Sequence, residues 1–403
     1  MSPASRVVAL RVCFEGGLDF CALALPPLLA LVPHGAAPLV AFAGLCAAAL
    51  TLARPPCRLQ ALRYPGMILA TLVVWGGLSA AWSIDPWRSL VVDARLTGLF
   101  LAALTLAAAA SRVVAPRRLA LFLAAGTAIA IALALLDLAS TGGLSRYVST
   151  RGFRGSRLNQ IAVWLALLWL PLSALLICRG RTRLGLAAGI AMAATVFTLD
   201  GTAAKAALAL SLPVAALLYL RRSAVARTLA ALSMLGILTA PLTLPRLAHL
   251  PAVFTAADAF KDSAGHRLLI WSFAGDRISE RPVLGWGLDA SRSIPGGKDE
   301  IRPAQSWLPL HPHDSALQLW LELGAPGAAL FALFAGLLWL RLGEAAWPRL
   351  YAAAAGGSLF AASAVAFSGW GIWQEWWLGT LSLALFATIV IARAANLGAG
   401  KRQ

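Results

Sequence analysis

Apolar runs of about 20 residues recur from one end of this chain to the other, and that length is what one helix needs to cross a hydrocarbon layer roughly 30 Å thick. Lipid offers peptide groups no water, so spanning segments must be helices or a closed barrel. The alternating pattern of a membrane β-barrel is absent, which leaves helices. Composition agrees. Of 403 residues, 60% are hydrophobic and 13% charged, against roughly 25% charged in a soluble domain, and mean hydropathy is +0.76. The expected fold class is an all-α polytopic membrane protein with about twelve transmembrane helices. They are expected over 17–33, 35–53, 66–83, 94–110, 118–137, 160–178, 184–199, 203–220, 226–245, 323–340, 349–368 and 376–393.

A net charge of +17 points to nucleic acid only when the basic residues share a surface, and here they alternate with the spans. Short loops at one set of ends carry Arg54, Arg58 and Arg63; Arg112, Arg117 and Arg118; Arg179, Arg181 and Arg183; Arg221, Arg222 and Arg227; then Arg341 and Arg349. The positive-inside rule puts these ends, and both termini, in the cytoplasm, with membrane lipids and not nucleic acid as partners. Cys13, Cys21, Cys46, Cys57 and Cys178 lie in spans or cytoplasmic-side loops and form no CxxC pair, so neither a disulfide framework nor a metal cluster is expected. Arg6 and Arg11 precede an apolar run with no cleavage signal after it, as in an uncleaved first helix. Three parts follow: 1–245, spans one to nine; 246–322, a large external loop with amphipathic helices; 323–403, the last three spans and a basic tail.

The most informative stretch is 308–327, LPLHPHDSALQLWLELGAPG. Pro309 and Pro312 stop any earlier helix, so His313 stands at a helix N-terminus, where the dipole disfavours imidazolium and keeps the ring able to accept a proton. Peptide N–H groups there attract phosphates. Leu317 and Leu321 share a face with His313, while Asp314, Gln318 and Glu322 form a polar stripe. The helix is expected to enter the bilayer near Gly324 and to kink at Pro326. A polar interfacial histidine without a role is the plainer reading of His313, and His311 is its rival.

Arg151, Arg154 and Arg157 lie in RGFRGSR, where glycines allow close approach and guanidiniums bind phosphate; an anchor to anionic headgroups is the alternative. Residues 266–278 (HRLLIWSFAGDRI) have helical spacing and are expected to lie on the membrane surface, with Arg267 at the head and Trp271 four residues on. Asp200 and Lys205 flank a short external turn. Trp370, Trp373, Trp376 and Trp377 are expected as an interfacial belt, with a sugar-stacking platform as the alternative. No P-loop, HExxH, GxSxG or metal-spaced set is present.

Four places in the chain resemble the O-antigen ligase superfamily, which also holds O-antigen polymerases and protein O-oligosaccharyltransferases. They are WSIDPWRSL after the third span, RGSRLNQIA entering the sixth, HRLLIW with PVLGWG in the large loop, and HDSALQLWLELGAPG entering the tenth. The resemblance implies transfer of a preassembled glycan from undecaprenyl diphosphate to an acceptor hydroxyl, at the periplasmic face of the bacterial inner membrane, without metal or nucleotide cofactor and with inversion. It puts the catalytic histidine at His313 and the loop arginine at Arg267. A further family arginine falls near Lys205, a lysine here. Asp314 stands where relatives commonly have Asn, and a carboxylate there would raise the pKa of the base. By resemblance the donor is lipid-linked O antigen and the acceptor is lipid A core oligosaccharide. Arg151, Arg154, Arg157 and Lys205 are the diphosphate-binding set, supported by Asp314, Glu322 and Trp271. The length fits a ligase better than a protein-glycosylating relative. A polymerase remains the alternative within the superfamily, and a twelve-helix transporter the alternative outside it.

Overall fold

The computed structural model describes residues 3–52, 60–148 and 158–399. In chain order the helices are α1 (Pro3–Leu31), α2 (Ala36–Leu52), α3 (Gln60–Leu78), α4 (Pro86–Ala110), α5 (Pro116–Ala139), α6 (Ser145–Val148) and α7 (Asn159–Cys178). Then come α8 (Thr182–Thr198), α9 (Thr202–Leu247), α10 (Pro251–Phe260), α11 (Asp262–Glu280), α12 (Ser315–Glu344), α13 (Arg349–Ala366) and α14 (Glu375–Ala399). The strands among the described residues are one antiparallel pair, β1 (Glu300–Arg302) and β2 (Gln305–Ser306). The chain is an all-α polytopic membrane protein.

Nine helices among the described residues are long and apolar enough to cross a membrane. One of them, α9, runs 46 residues and is interrupted at Arg221 (φ −139°, ψ 61°), so it answers to two expected spans, 203–220 and 226–245. The expected spans 184–199 and 349–368 appear as α8, of 17 residues, and α13, of 18. Every expected span thus has a helical counterpart.

Arginine turns meet at one end of the bundle, where their side chains take up backbone carbonyls. The Arg349 guanidinium donates to the carbonyls of Tyr219 and Leu220, just ahead of the α9 break. Arg393 donates at 2.8 Å to the carbonyls of Ala110 and Val113, beyond which α4 stops. Arg118 pairs with Asp19 of α1 at 2.7 Å. Cations suit the carbonyl-rich ends of helices, which gives these arginines a packing role beside their topological one.

The centre of the bundle is α7, with 72% of its most apolar window buried, against 22% for the more exposed α3 and α4. Trp164 is fully enclosed there. Against it runs α13, buried continuously from Tyr351 to Ser358. A Cβ at Gly357 would stand 2.9 Å from the Ser211 carbonyl oxygen of α9, the close approach that small residues allow between membrane helices.

Candidate active site

Between α9 and α12 the chain builds a layer whose main element is α11. Ile270, Phe273, Ala274 and Ile278 of α11 join one buried cluster with Ile237 and Ala240 of α9 and Ala316, Leu317 and Leu321 of α12. The stripe expected to face lipid therefore faces protein. Helical periodicity reveals an apolar face but not what covers it. By contrast, α10 buries none of its residues and exposes Val253 and Phe260.

The bend from His311 to Asp314 lies under α11, where the Trp271 indole N–H donates to the Pro312 carbonyl at 3.0 Å. His313 follows in a left-handed conformation, φ +59°, unusual for a residue with a side chain. Asp314 is the N-cap of α12, and its carboxylate accepts the Leu317 N–H at 2.8 Å. His313 is thus the residue before the cap, not the first of the helix.

Nδ1 of His313 stands 2.8 Å from the carbonyl oxygen of Gly369. A carbonyl only accepts, so Nδ1 carries the proton and Nε2 is left with its lone pair. Burial is the first cause that lowers the imidazole pKa to about 4; the Gly369 bond opposes it, and Arg267 and His266 add to it. His311, only 3% exposed, is lowered to about 3, again by burial first, then by His313, Arg292 and Arg267. Both rings are neutral at pH 7. The expected pull of Asp314 on His313 is not among these causes, because that carboxylate turns into the helix end. Burial raises its own pKa to about 7, against the Leu317 and Ala316 N–H groups.

After its first turns α12 breaks at Gly324 (φ 63°, ψ −164°), two residues before Pro326. The segment 282–287 fills the break. Trp286 N–H donates to the Leu321 carbonyl at 2.9 Å, Gly287 N–H to Glu322 at 2.8 Å, and Ala325 N–H to Pro282 at 2.9 Å. Opening a helix inside a membrane protein is tolerated where protein groups take up the freed backbone, as here. The connector that holds WSIDPWRSL wraps the same segment: Trp82 donates to the Leu284 carbonyl, Ser89 to Leu288, and Arg88 to Asp289. Two of the quoted motifs are therefore one structural unit.

Glu322, fully buried, joins this unit to the site. It accepts from the Asp289 N–H at 2.7 Å, from Gln318 at 3.1 Å, from the Ser291 hydroxyl and from the Trp373 indole. Trp373 belongs to the α13–α14 turn, which also supplies the Gly369 carbonyl to His313, the Gly371 N–H to His311 at 3.1 Å and the Ile372 N–H to Gln318 at 3.0 Å. Trp376 and Trp377 are 7% and 1% exposed and pack with Trp370. Trp376 and Trp377 thus face the protein interior and not the expected interfacial belt, while Trp370 and Trp373 are half-buried. Sequence reasoning missed this turn as the back wall of the site; the signal was GWGIW, glycines set between tryptophans. It missed Arg292 too, whose charge is felt at His311.

Arg267 is half-buried on α11, and burial lowers its pKa. Lys205 is half-buried in the first turn of α9, at the same end of the bundle, where Lys261 reaches Thr202 at 3.3 Å. Neither has an acidic ion-pair partner among the described residues. Arg151, Arg154 and Arg157 lie outside the described residues. No group of His, Cys, Asp and Glu among the described residues is arranged to hold a metal ion.

Comparison with known proteins bears on these same residues. The O-antigen ligase family model matches residues 187–332. A Rickettsia conorii protein is 47% identical over 77 residues, 18% of this chain and 19% of its own. Proteins of Rickettsia typhi and Rickettsia prowazekii are each 35% identical, over 126 and 130 residues, 30% of each chain in both cases. All three carry the name "Putative polysaccharide ligase", and this chain spans less than a third of their length. The matched region contains Lys205, Arg267, Trp271, His313, Asp314 and Glu322, and over that region the chain is similar to the O-antigen ligase family.

Proposed function

We propose that the chain is a glycosyltransferase that moves preassembled O-antigen polysaccharide from undecaprenyl diphosphate to a sugar hydroxyl of the lipid A core oligosaccharide. The reaction is placed at the periplasmic face of the bacterial inner membrane, with both termini in the cytoplasm. One observation carries the reading: a neutral His313 whose Nδ1 is engaged by Gly369, beside Arg267, a guanidinium without an acidic partner among the described residues.

In the proposed step the Nε2 lone pair of His313 takes the proton of the acceptor hydroxyl as that oxygen bonds to the anomeric carbon. The bond from the anomeric carbon to the diphosphate oxygen breaks on the opposite face, so the configuration inverts. Undecaprenyl diphosphate leaves with the electron pair. Arg267, Lys205, Arg151, Arg154 and Arg157 are the cations assigned to it, since charge grows on that group in the transition state. Asp314, Glu322 and Trp271 hold the bend and do not touch substrate.

Disrupting the gene and running lipopolysaccharide on a gel tests this. Loss of a ligase leaves bare core with long glycan still on the carrier lipid. Core bearing a single repeat would instead mean a polymerase. Purified protein that transfers glycan between added lipid substrates excludes a transporter, and full transfer by His313→Ala would overturn the assignment of the base.

A further inference from the structure

We propose that His311 is a positioning residue for His313, an assignment that rests on His313 being the base. His311 is buried two residues before it, and the two rings lie 4.3 Å apart between centroids, tilted by 58°. Nδ1 of His311 faces the backbone N–H of His313 at 3.2 Å, the peptide group that carries the left-handed φ of +59°. Nε2 faces the Gly371 N–H at 3.1 Å. Gly371 lies two residues beyond Gly369, whose carbonyl holds Nδ1 of His313. The His311 ring thus stands between the peptide group of His313 and the turn that carries its carbonyl acceptor, and accepts from one of the two N–H groups while packing against the other. The fit is close: a Cβ on Gly371 would stand 2.8 Å from Cδ2 of His311.

In either tautomer the ring nitrogen of His311 that keeps its lone pair faces a backbone N–H, so no free lone pair is left with which to act as a base itself. A neutral imidazole accepts at one nitrogen and an imidazolium at neither. The ring therefore serves as an acceptor, and its use to the reaction lies in where it holds its neighbour. A reacting base displaced by a fraction of its hydrogen-bond length loses much of its rate without losing substrate affinity.

The test uses the purified full chain, a lipid diphosphate-linked O-antigen repeat as donor and lipid A core as acceptor, with His311→Ala, His311→Asn and His311→Gln. In Asn the side-chain oxygen stands where Nδ1 accepts from His313; in Gln it reaches towards Gly371. His311→Ala should lower kcat on the order of tenfold to a hundredfold while the donor KM stays within about twofold. His311→Asn should recover most of that loss, and His311→Gln less. The acid limb of kcat/KM should stay in place in His311→Asn, because the titrating group is still His313. Wild-type kcat in His311→Ala, an Asn variant no better than Ala, or losses that merely follow the melting temperature would each overturn the proposal. His313→Ala in the same assay keeps the two readings apart. If it is inactive while His311→Ala runs at wild-type rate, only the positioning role fails; if it is active, the base itself was wrongly assigned.

Discussion

Replacing Glu322 tests whether one carboxylate fastens the 282–291 segment to the broken helix. The side chain is 0% exposed and accepts four hydrogen bonds, Ser291 and Gln318 on Oε1 and the Asp289 N–H and Trp373 indole on Oε2. In Glu322→Gln one oxygen becomes an NH2 group. The Asp289 and Trp373 N–H groups cannot turn away, so the amide oxygen settles on them and the NH2 faces Ser291 and Gln318. The Ser291 hydroxyl can rotate to accept. Gln318 cannot flip without giving up the Ile372 N–H, which its own oxygen accepts at 3.0 Å. The net loss is then about one buried bond, about 1–3 kcal/mol. Glu322→Ala leaves both fixed N–H groups unpaired, about 2–6 kcal/mol, before any cavity cost. Hydrogen exchange reads this locally, because the Asp289 amide bonds directly to Glu322 and those of Trp286 and Gly287 bond to carbonyls beside it. If the segment opens on its own, exchange of 285–291 should speed up roughly 5- to 150-fold in Glu322→Gln and more in Glu322→Ala. Unchanged protection in both variants, or equal effects from both, would refute the reasoning.

Three further outcomes follow from the same geometry. Since burial and Arg267 lower the His313 pKa to about 4, the base stays neutral down to that pH, and kcat/KM should fall only as pH drops through about 4; an acid limb near the ordinary histidine value of roughly 6.5 would contradict the site as described. Gly324→Ala combines a positive φ with a Cβ that would collide with the Val283 carbonyl oxygen, so the variant should lose its folded fraction in detergent melting, whereas a melting curve like the wild type would show that the break is not needed. Trp271→Phe removes the N–H bonded to Pro312 and should cost about 0.5–1.5 kcal/mol of stability, measured by denaturant unfolding, along with a fall in kcat.

Much of this was legible in the chain. Twenty-residue apolar runs fix helices because lipid leaves no alternative, and the arginine turns mark one end of each. Pro309 and Pro312 announced a stop before α12, and the backbone rule for proline put His313 at the helix N-terminus, one residue ahead of the cap that the structure places at Asp314. What failed is instructive. The 266–278 stripe and the Trp370–Trp377 cluster both have the pattern of groups at a membrane interface, yet the stripe and the buried pair Trp376 and Trp377 pack on protein. An apolar stripe on α11 and an indole with one N–H to place, as on Trp373, are satisfied equally well by headgroups or by Glu322. The partners come from about 30 to 50 residues away in sequence, which local pattern cannot supply.

The break at Gly324 shows why the distant parts had to be there. An unbroken α12 would satisfy its own peptide groups and need nothing from 282–287. Pro326 has no N–H to give and crowds the carbonyl four residues back, that of Glu322. Gly324 takes the backbone out of the helix there, and the freed Glu322 carbonyl accepts from Gly287 instead. The proline that disfavours a continuous helix thereby recruits the segment bearing Asp289 and Ser291 to the Glu322 carboxylate, which in turn holds Trp373 and the turn carrying Gly369. Through that chain of contacts a local defect in one membrane helix reaches the carbonyl that selects the tautomer of His313. On this account the site and the break form one construction, and relieving the break by Pro326→Ala should loosen the 285–291 amides even though Pro326 touches neither histidine.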